Sequence, residues 1–499
     1  MDFMGGFFYG LSVCLQPINL LYCFIGALTG TLIGVLPGLG PAATISLLLP
    51  ATFYLSPTSA IIMLSGIFYG AMYGGSTTAI LVNIPGESAS VITCLDGYAM
   101  ARDGRAGPAL GIAALGSFIA GTIGVIALTF IAPPIARAAL KFGPPEFFGL
   151  ILLGFTLLGY LSGGSMIKSF IMAALGLIIG SVGMDLFTGA FRFTYSQMFL
   201  EEGIAIIPVV MGLFGIGEVL INVEASVKRE IYKTRVSNLL PTLRDWKDSI
   251  GAILRGTGLG FFLGTLPGPG HITASFASYA LEKKLSKRPE QFGKGVIEGV
   301  AGPEAANNAA SQGAFVPMLT LGIPFGPSPA ILLAALLLHG VQPGPLLMQK
   351  SPEIFWGVIA SMYIGNIMLL LLNLPLIGLW VRVVTIPYTL LFPLIVFFCL
   401  IGCYAFNYAV GDLFIMIIFG FLGYLLRKFE YPAAPLILAY ILGPMFENAM
   451  RQSLMMSQGD FTIFLTRPIC LVFLLTAFVI CVFGAIKLRP RRIRELEQG

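Results

Sequence analysis

Charge is scarce in this sequence. Only 11% of its 499 residues are Asp, Glu, Lys or Arg, against about 25% in soluble domains, and a soluble globular fold is excluded on that ground. No Lys or Arg stands before Arg102. A cleaved secretory signal needs a positively charged start, so the first apolar segment is expected to stay on the protein. Histidine occurs twice, as His271 and His339, with no H-E-x-x-H pair and no nucleophile–base set. Enzymatic chemistry needs such groups, and the chain reads as a non-enzyme. Its seven cysteines sit mainly in apolar text, and Cys399-x3-Cys403 has no histidine or acid beside it. Neither a disulfide framework nor a bound metal or other cofactor is expected.

What is present is apolar. Hydrophobic residues make up 57% of the chain and the mean hydropathy is +0.89. At about 20 residues per span, the apolar runs allow roughly 10–14 crossings or part-crossings. The expected fold is all-α and polytopic. Its 61 glycines and 32 prolines fit membrane helices that pack closely and are broken in places. Of 29 Lys and Arg, 12 lie between Lys228 and Lys294, and a second cluster runs Lys487-Leu-Arg489-Pro-Arg491-Arg492-Ile-Arg494. These read as positive-inside anchors, not as a nucleic-acid surface. They put the 226–250 linker and the 487–499 tail on the cytoplasmic side.

The chain repeats itself. Gly30-Thr-Leu-Ile-Gly34-Val-Leu-Pro37-Gly38-Leu39-Gly40 and Gly260-Phe-Phe-Leu-Gly264-Thr-Leu-Pro267-Gly268-Pro269-Gly270 share the pattern G-x-x-x-G-x-x-P-G-x-G at an offset of 230. A second pair stands at an offset of 239, where Gly74…Asn83-Ile84-Pro85 matches Gly313…Gly322-Ile323-Pro324. Proline cannot donate a backbone hydrogen bond and glycine relaxes helical φ/ψ, so each pattern ends a helix. Two halves, each with two broken segments, mark a secondary transporter whose site lies between repeats. The division expected is a first repeat over 1–225, the linker, a second repeat over 251–486, and the tail. Arg255 precedes the second G-x-x-x-G pattern, while Lys283, Lys284, Lys287 and Arg288 follow it. If both flanks are cytoplasmic, the stretch between them is a re-entrant hairpin with its tip at Pro267–Gly270. The matching hairpin in the first half has no basic flanks and is expected to enter from the opposite face, giving inverted repeats. A helix is expected over Pro57–Tyr73, leading into Gly74–Thr78, and a polar excursion over Asp185–Glu202.

A broken helix exposes N–H groups that attract anions and C=O groups that attract cations. Such an arrangement suits a carboxylate moved together with Na⁺ or H⁺. The candidate substrate- and ion-binding residues are Pro37, Gly38 and Gly40 at the first break, and Thr77, Thr78, Asn83, Pro85, Gly86, Glu87 and Ser88 at the second. In the other half they are Pro267, Gly268, Gly270, His271 and Thr273, then Glu304, Asn307 and Asn308, then Gly322, Pro324, Gly326 and Ser328. The G-x-x-x-G spacing alone reads as a helix-packing face. His339 reads as structural, and Arg192 reads as an exterior-loop residue able to pair with a carboxylate. A stand-alone carboxylate or ion carrier, or a channel, shares these breaks and needs no periplasmic partner.

The motifs Leu36-Pro-Gly-Leu-Gly-Pro41, Tyr73-Gly-Gly-Ser-Thr-Thr-Ala-Ile-Leu-Val-Asn-Ile-Pro-Gly86, Leu95-Asp-Gly-Tyr98, Arg192-Phe-Thr194, Phe292-Gly-Lys-Gly295 and Ala301-Gly-Pro-Glu-Ala-Ala-Asn-Asn-Ala309 strongly resemble the TctA family, the large membrane subunit of tripartite tricarboxylate transporters. The resemblance spans nearly the whole chain in order. It implies a bacterial inner-membrane permease acting with a small TctB-like membrane subunit and a periplasmic TctC-like solute-binding protein, with a homo-oligomer open. It also implies uptake of citrate-like or other organic carboxylates, with Na⁺ as the usual coupling ion. Two departures stand at the expected site. Gly322-Ile-Pro-Phe-Gly-Pro-Ser-Pro329 replaces a small, hydroxyl-rich turn, and His271 stands where a small residue is usual. Both point to a carboxylate other than citrate.

Overall fold

The structure is a computed structural model that describes residues 3–36, 40–161, 165–185, 187–225, 238–268, 270–384, 386 and 388–496. The expected linker therefore falls partly outside the described residues, at 226–237. In lipid every backbone polar group must be satisfied within the segment, so apolar runs become helices. Seven helices among the described residues are long and apolar enough to cross a membrane: Pro17–Val35, Ala106–Ala139, Ile206–Glu224, Pro352–Asn373, Thr389–Asn407, Val410–Lys428 and Ala433–Met456. Shorter apolar helices such as Pro144–Tyr160 and Pro327–Leu338 accompany them. The chain is an all-α polytopic membrane protein. Proline opens several of its helices, at Pro17, Pro41, Pro57, Pro327 and Pro352, where its missing N–H has no helical partner to lose.

The chain forms two compact units. The larger contains residues 1–137, 207–266 and 270–424; the smaller contains 138–206, 267–269 and 425–499.

The larger unit is built on two helix pairs that touch through glycine. A Cβ on Gly26, Gly30 or Gly34 would lie 2.2, 2.6 or 2.4 Å from the carbonyl oxygens of Met63, Ile67 and Ala71. A Cβ on Gly256, Gly260 or Gly264 would lie 2.4, 2.2 or 2.2 Å from those of Gly302, Ala306 and Ala310. Only glycine permits backbones to approach so closely. The expected packing role of the G-x-x-x-G spacing is thus what the structure has.

Two expectations about helix ends are corrected or refined here. The helix expected to lead into Gly74–Thr78 runs without interruption over Pro57–Val82, because Gly74 is another packing position, its Cβ direction 2.3 Å from Thr31 O. The break comes at Asn83, which adopts the left-handed conformation with φ 56°. Its counterpart is Gly322, also left-handed with φ 70°, closing the Phe315–Leu321 helix. The polar segment 302–312 forms the interior of the Glu298–Gly313 helix, in which all positions from Gly299 onward are buried. The Leu243–Gly264 helix starts at a capping box made by Thr242 and Asp245 and is followed by the Gly270–Leu285 helix. These two run back alongside each other. Arg255 Nε and Nη2 donate to Glu282 at 2.8 and 2.5 Å, and nearer the turn the Gly270 Cβ direction meets Leu263 O at 2.9 Å.

In the smaller unit, Met166–Gly180 packs on Ala433–Met456, with the Cβ direction of Gly176 2.2 Å from Leu436 O. The polar excursion after it is entered through a short hairpin that pairs Gly183–Met184, just before it, with Phe191–Arg192 within it. Asp185 accepts from the Phe187 N–H, the Thr188 hydroxyl, Arg192 and Arg451 at 3.0, 2.8, 2.5 and 3.2 Å. The Phe187 N–H, then the Thr188 hydroxyl and the Arg192 guanidinium, hold its carboxyl below the usual carboxylate range. Arg192 also pairs with Glu447, so its guanidinium is already engaged by protein carboxylates.

Candidate functional site

The second break and the Glu298–Gly313 helix carry a group of buried polar side chains. After Asn83 the chain passes Gly86, whose Cβ direction ends 1.9 Å from Gly34 O and 2.7 Å from Gly75 Cα. Glu87, the next residue, is buried, at 5% exposure. The Glu87 carboxylate caps the following 3₁₀ turn: Oε2 accepts from the Ala89 N–H at 2.7 Å, and Oε1 from the Ser90 hydroxyl at 2.7 Å. Oε1 also accepts from Asn307 Nδ2 at 3.1 Å, which joins positions 220 residues apart. This carboxylate is well solvated by donors.

Glu304 is different. Its Oε1 accepts from the Thr93 hydroxyl at 2.6 Å, while its Oε2 has no hydrogen-bond partner among the described residues. One turn on, Asn308 Nδ2 donates to Ser117 Oγ at 2.7 Å and to the Glu304 carbonyl at 3.0 Å. The amide oxygens of Asn307, Asn308 and Gln312 are likewise buried and unpartnered. Residues three and four apart share one helix face, so one stripe carries these acceptors, while Ala306 and Ala310 face the glycines of the neighbouring helix. Buried polar atoms are ordinarily paired, so four unpartnered oxygens on one helix face, one of them a carboxylate's, call for a partner. The arrangement can take up a positive charge.

A second cluster braces the first. Asp96 Oδ1 accepts from the N–H groups of Gly293, Gly295 and Val296 at 2.9, 2.8 and 2.9 Å, and its Oδ2 from Tyr279 Oη at 2.8 Å. The stretches Leu95–Tyr98 and Phe292–Gly295 are thereby tied together just before the Glu298–Gly313 helix.

The other expected residues are distributed as follows. Pro37 and Gly38 lie outside the described residues; Gly40 is half-buried at the start of Pro41–Leu48. Thr77 and Thr78 are buried inside their helix, and Thr78 Oγ1 donates to Gly75 O at 3.2 Å. Pro85 is half-buried, while Asn83 and Ser88 are exposed. Pro267 and Gly268 are buried, Gly268 with φ 128°. Gly270 and His271 are half-buried and Thr273 is exposed; the His271 ring meets Phe68 edge-on at 6.4 Å. Gly322, Pro324, Gly326 and Ser328 are all buried. His339 has a structural place, with Nε2 3.2 Å from Thr52 Oγ1 and its ring stacked on Phe53. The structure therefore joins Glu87 directly to Asn307 and sets Glu304 and Asn308 on the same face. Asn83, Ser88 and Thr273 stand apart from that hydrogen-bonded group. Thr93 and Ser117 complete the network, Gln312 adds an unpartnered oxygen to the same face, and Asp96 holds the second cluster; none of the four was among the expected residues.

Comparison with known proteins agrees with this picture. The tripartite tricarboxylate transporter TctA family matches residues 20–438. An uncharacterized 52.8 kDa protein in the TAR-I ttuC' 3' region of Agrobacterium vitis is 51% identical over 486 residues, covering 97% of each chain. A second uncharacterized protein of Agrobacterium vitis, in the TAR-II ttuC' 3' region, is 52% identical over 227 residues, which is 46% of this chain and 93% of that relative. No solved structure matches the chain. A buried, oxygen-rich helix beside broken membrane helices, and a match over most of the length, lead to one statement: the chain belongs to the tripartite tricarboxylate transporter TctA family, as a multi-pass membrane subunit of such a system.

Proposed function

We propose that this protein is the large permease subunit of a binding-protein-dependent secondary transporter that imports an organic di- or tricarboxylate with a cation gradient. Its partners are then a small membrane subunit and a periplasmic solute-binding protein, and its membrane is the bacterial inner membrane with the basic tail in the cytoplasm. The observation that carries the reading is a duplicated contact register. Gly26, Gly30 and Gly34 meet the carbonyls of residues 63, 67 and 71, and positions 230 further on, Gly256, Gly260 and Gly264, meet those of residues 302, 306 and 310, each 239 further on. The left-handed break repeats at the same offset, from Asn83 to Gly322. Two halves built alike, each ending its long helix at a break, support an alternating-access transporter of two inverted repeats with the substrate held between breaks. Backbone N–H groups at the starts of Pro41–Leu48, Gly270–Leu285 and Pro327–Leu338 suit a carboxylate. The unpartnered oxygens of the Glu298–Gly313 helix suit a cation.

The test is uptake of labelled di- and tricarboxylates into proteoliposomes under a Na⁺ or a pH gradient, with and without the binding protein. Accumulation that needs the gradient and the binding protein is expected. Accumulation without the binding protein would make this a stand-alone carrier. Failure to accumulate any carboxylate would remove the substrate class.

A further inference from the structure

We propose that a charged cavity at the cytoplasmic end of the Leu243–Gly264 and Gly270–Leu285 helices is the exit vestibule of the carboxylate, and that the guanidinium groups of Arg105 and Arg255 receive it there. The inference deepens the import reading above and rests on it for the direction of traffic.

The cavity has a volume of about 1180 Å³, and its wall draws on both halves of the sequence. Arg105 comes from the first half; Arg244, Arg255, Lys287, Arg288 and Lys294 come from the second. Four carboxylates share the wall, those of Asp245, Asp248, Glu282 and Glu298, so cations stay in excess. Lys283 and Lys284 add to the basic residues at this end of the helix pair, which the positive-inside rule sets in the cytoplasm.

Two of the cations are fixed from behind. Glu282, 3% exposed, accepts from Arg255 Nε and Nη2 at 2.8 and 2.5 Å. Asp245, 6% exposed, accepts from Arg105 Nη2 at 2.6 Å. The two arginine side chains are nevertheless 44% and 45% exposed. A guanidinium carries five N–H donors in a planar fork, so each keeps donors beyond those bonds while its position is set. That geometry suits a carboxylate. Lys287, Arg288 and Lys294 are exposed and form no ion pair among the described residues. Their charge raises the local concentration of anions.

The balance of charge separates transit from storage. A tight site for a multivalent anion surrounds it with uncompensated cations, whereas here each fixed arginine already has a carboxylate. Passage needs binding favourable enough to admit the ion and weak enough to release it. The volume agrees, since pockets that enclose a small ligand run to roughly 300–1,000 Å³. Glu298 belongs both to the cavity wall and to the first turn of the Glu298–Gly313 helix. The cavity therefore adjoins the helix that carries the buried polar face.

The experiment labels Ser286→Cys, a lining position, in the full-length protein with a charged, membrane-impermeant maleimide. Membrane vesicles of both orientations are used, and the unsubstituted protein supplies the background. The expected result is labelling in inverted vesicles alone, slowed at least about fivefold by saturating succinate or citrate through mass action. Chloride, phosphate and ATP at equal ionic strength are expected to slow it far less. Arg255→Gln combined with Glu282→Gln removes the fork and leaves no buried carboxylate alone. It is expected to lose the protection. It is also expected to lower maximal uptake at least about fivefold without raising the half-saturating external concentration, because exit follows binding. Lys287→Gln touches no buried pair and is expected to raise the protecting concentration at least about twofold. Lys283→Gln, exposed on the same helix and outside the lining, is expected to change neither readout. Labelling from the outer side, or carboxylates that leave labelling unchanged in a protein that accumulates them, overturns the vestibule and leaves the import reading standing. Protection by phosphate or ATP equal to that by carboxylates overturns it too and makes the cavity a site for phosphorylated ligands. Protection by carboxylates in a protein that accumulates none removes the import reading, and the exit role with it.

Discussion

Asp96 is a single residue on which much of the site's geometry depends. Its carboxylate receives three backbone N–H groups from the 293–296 turn and the Tyr279 hydroxyl, and it is fully buried. Asp96→Ala removes the acceptor of the buried Tyr279 hydroxyl and of three backbone N–H groups on half-buried or exposed residues, and each hydrogen bond to a charged group is worth about 1.5–3 kcal/mol. The expected outcome is a loss of about 3 kcal/mol or more, read as a lowered unfolding midpoint and faster proteolysis at 293–296. Asp185 allows a pH test outside the spanning helices. Because its hydrogen bonds hold its carboxyl below the usual range, it stabilises the fold fully above the unfolded value of about 4. That contribution is lost progressively as pH falls below the unfolded value and is gone once pH has passed through the lowered folded value. Melting of the wild type is therefore expected to show no loss from this carboxylate between pH 7 and pH 5, whereas Asp185→Asn melts lower throughout that window. At this scale the sequence was half legible. Glu304, Asn307 and Asn308 are polar residues in small-residue text and can be singled out by composition. Thr93 and Ser117 look like any hydroxyl in a membrane helix, and only folding brings them beside residues 211 and 191 positions away.

At the scale of elements, the breaks and the glycine stripes carry the fold. Gly264 lies with its Cβ direction 2.2 Å from Ala310 O, whereas Gly258 on the same helix has nothing within 4 Å. Gly264→Val forces two backbones apart and is expected to cost about 3 kcal/mol or more, with little folded protein recovered. Gly258→Ala meets no neighbour and removes a helix-weakening glycine, so a gain of up to about 1 kcal/mol is expected. Unfolding of both variants in the same detergent, by denaturant or heat, checks the contrast. The repeated spacing of glycine was visible in the sequence because packing at one-turn intervals leaves a four-residue period. The partner helix was not, because carbonyl oxygens accept a close neighbour whatever side chain they belong to. The same limit explains Gly74. A glycine that permits contact and a glycine that ends a helix look alike in sequence. The left-handed turn one residue past Val82 is what separates them.

At the scale of the molecule, a chain with two similar helix pairs, each closed by a left-handed break, has the parts an alternating-access carrier needs. The overall class was legible because lipid allows few solutions: an apolar chain of this length folds as helices. The pairing of Glu87 with Asn307 was not, since it joins residues from opposite halves. That bond also makes the account testable in one measurement, labelled carboxylate accumulation in proteoliposomes by Asn307→Ala beside wild type and Gly268→Leu. Both variants are first shown to insert normally. Asn307→Ala removes a hydrogen bond to a buried carboxylate, worth roughly 1.5–3 kcal/mol, which corresponds to a rate loss of at least about tenfold if the bond holds the working site together. Gly268→Leu puts a branched side chain at φ 128° beside the third break and is expected to stop transport. Uptake reduced at least tenfold in Asn307→Ala and absent in Gly268→Leu is the predicted result. Wild-type uptake in both would contradict the placing of the transport site at these breaks and the helix between them.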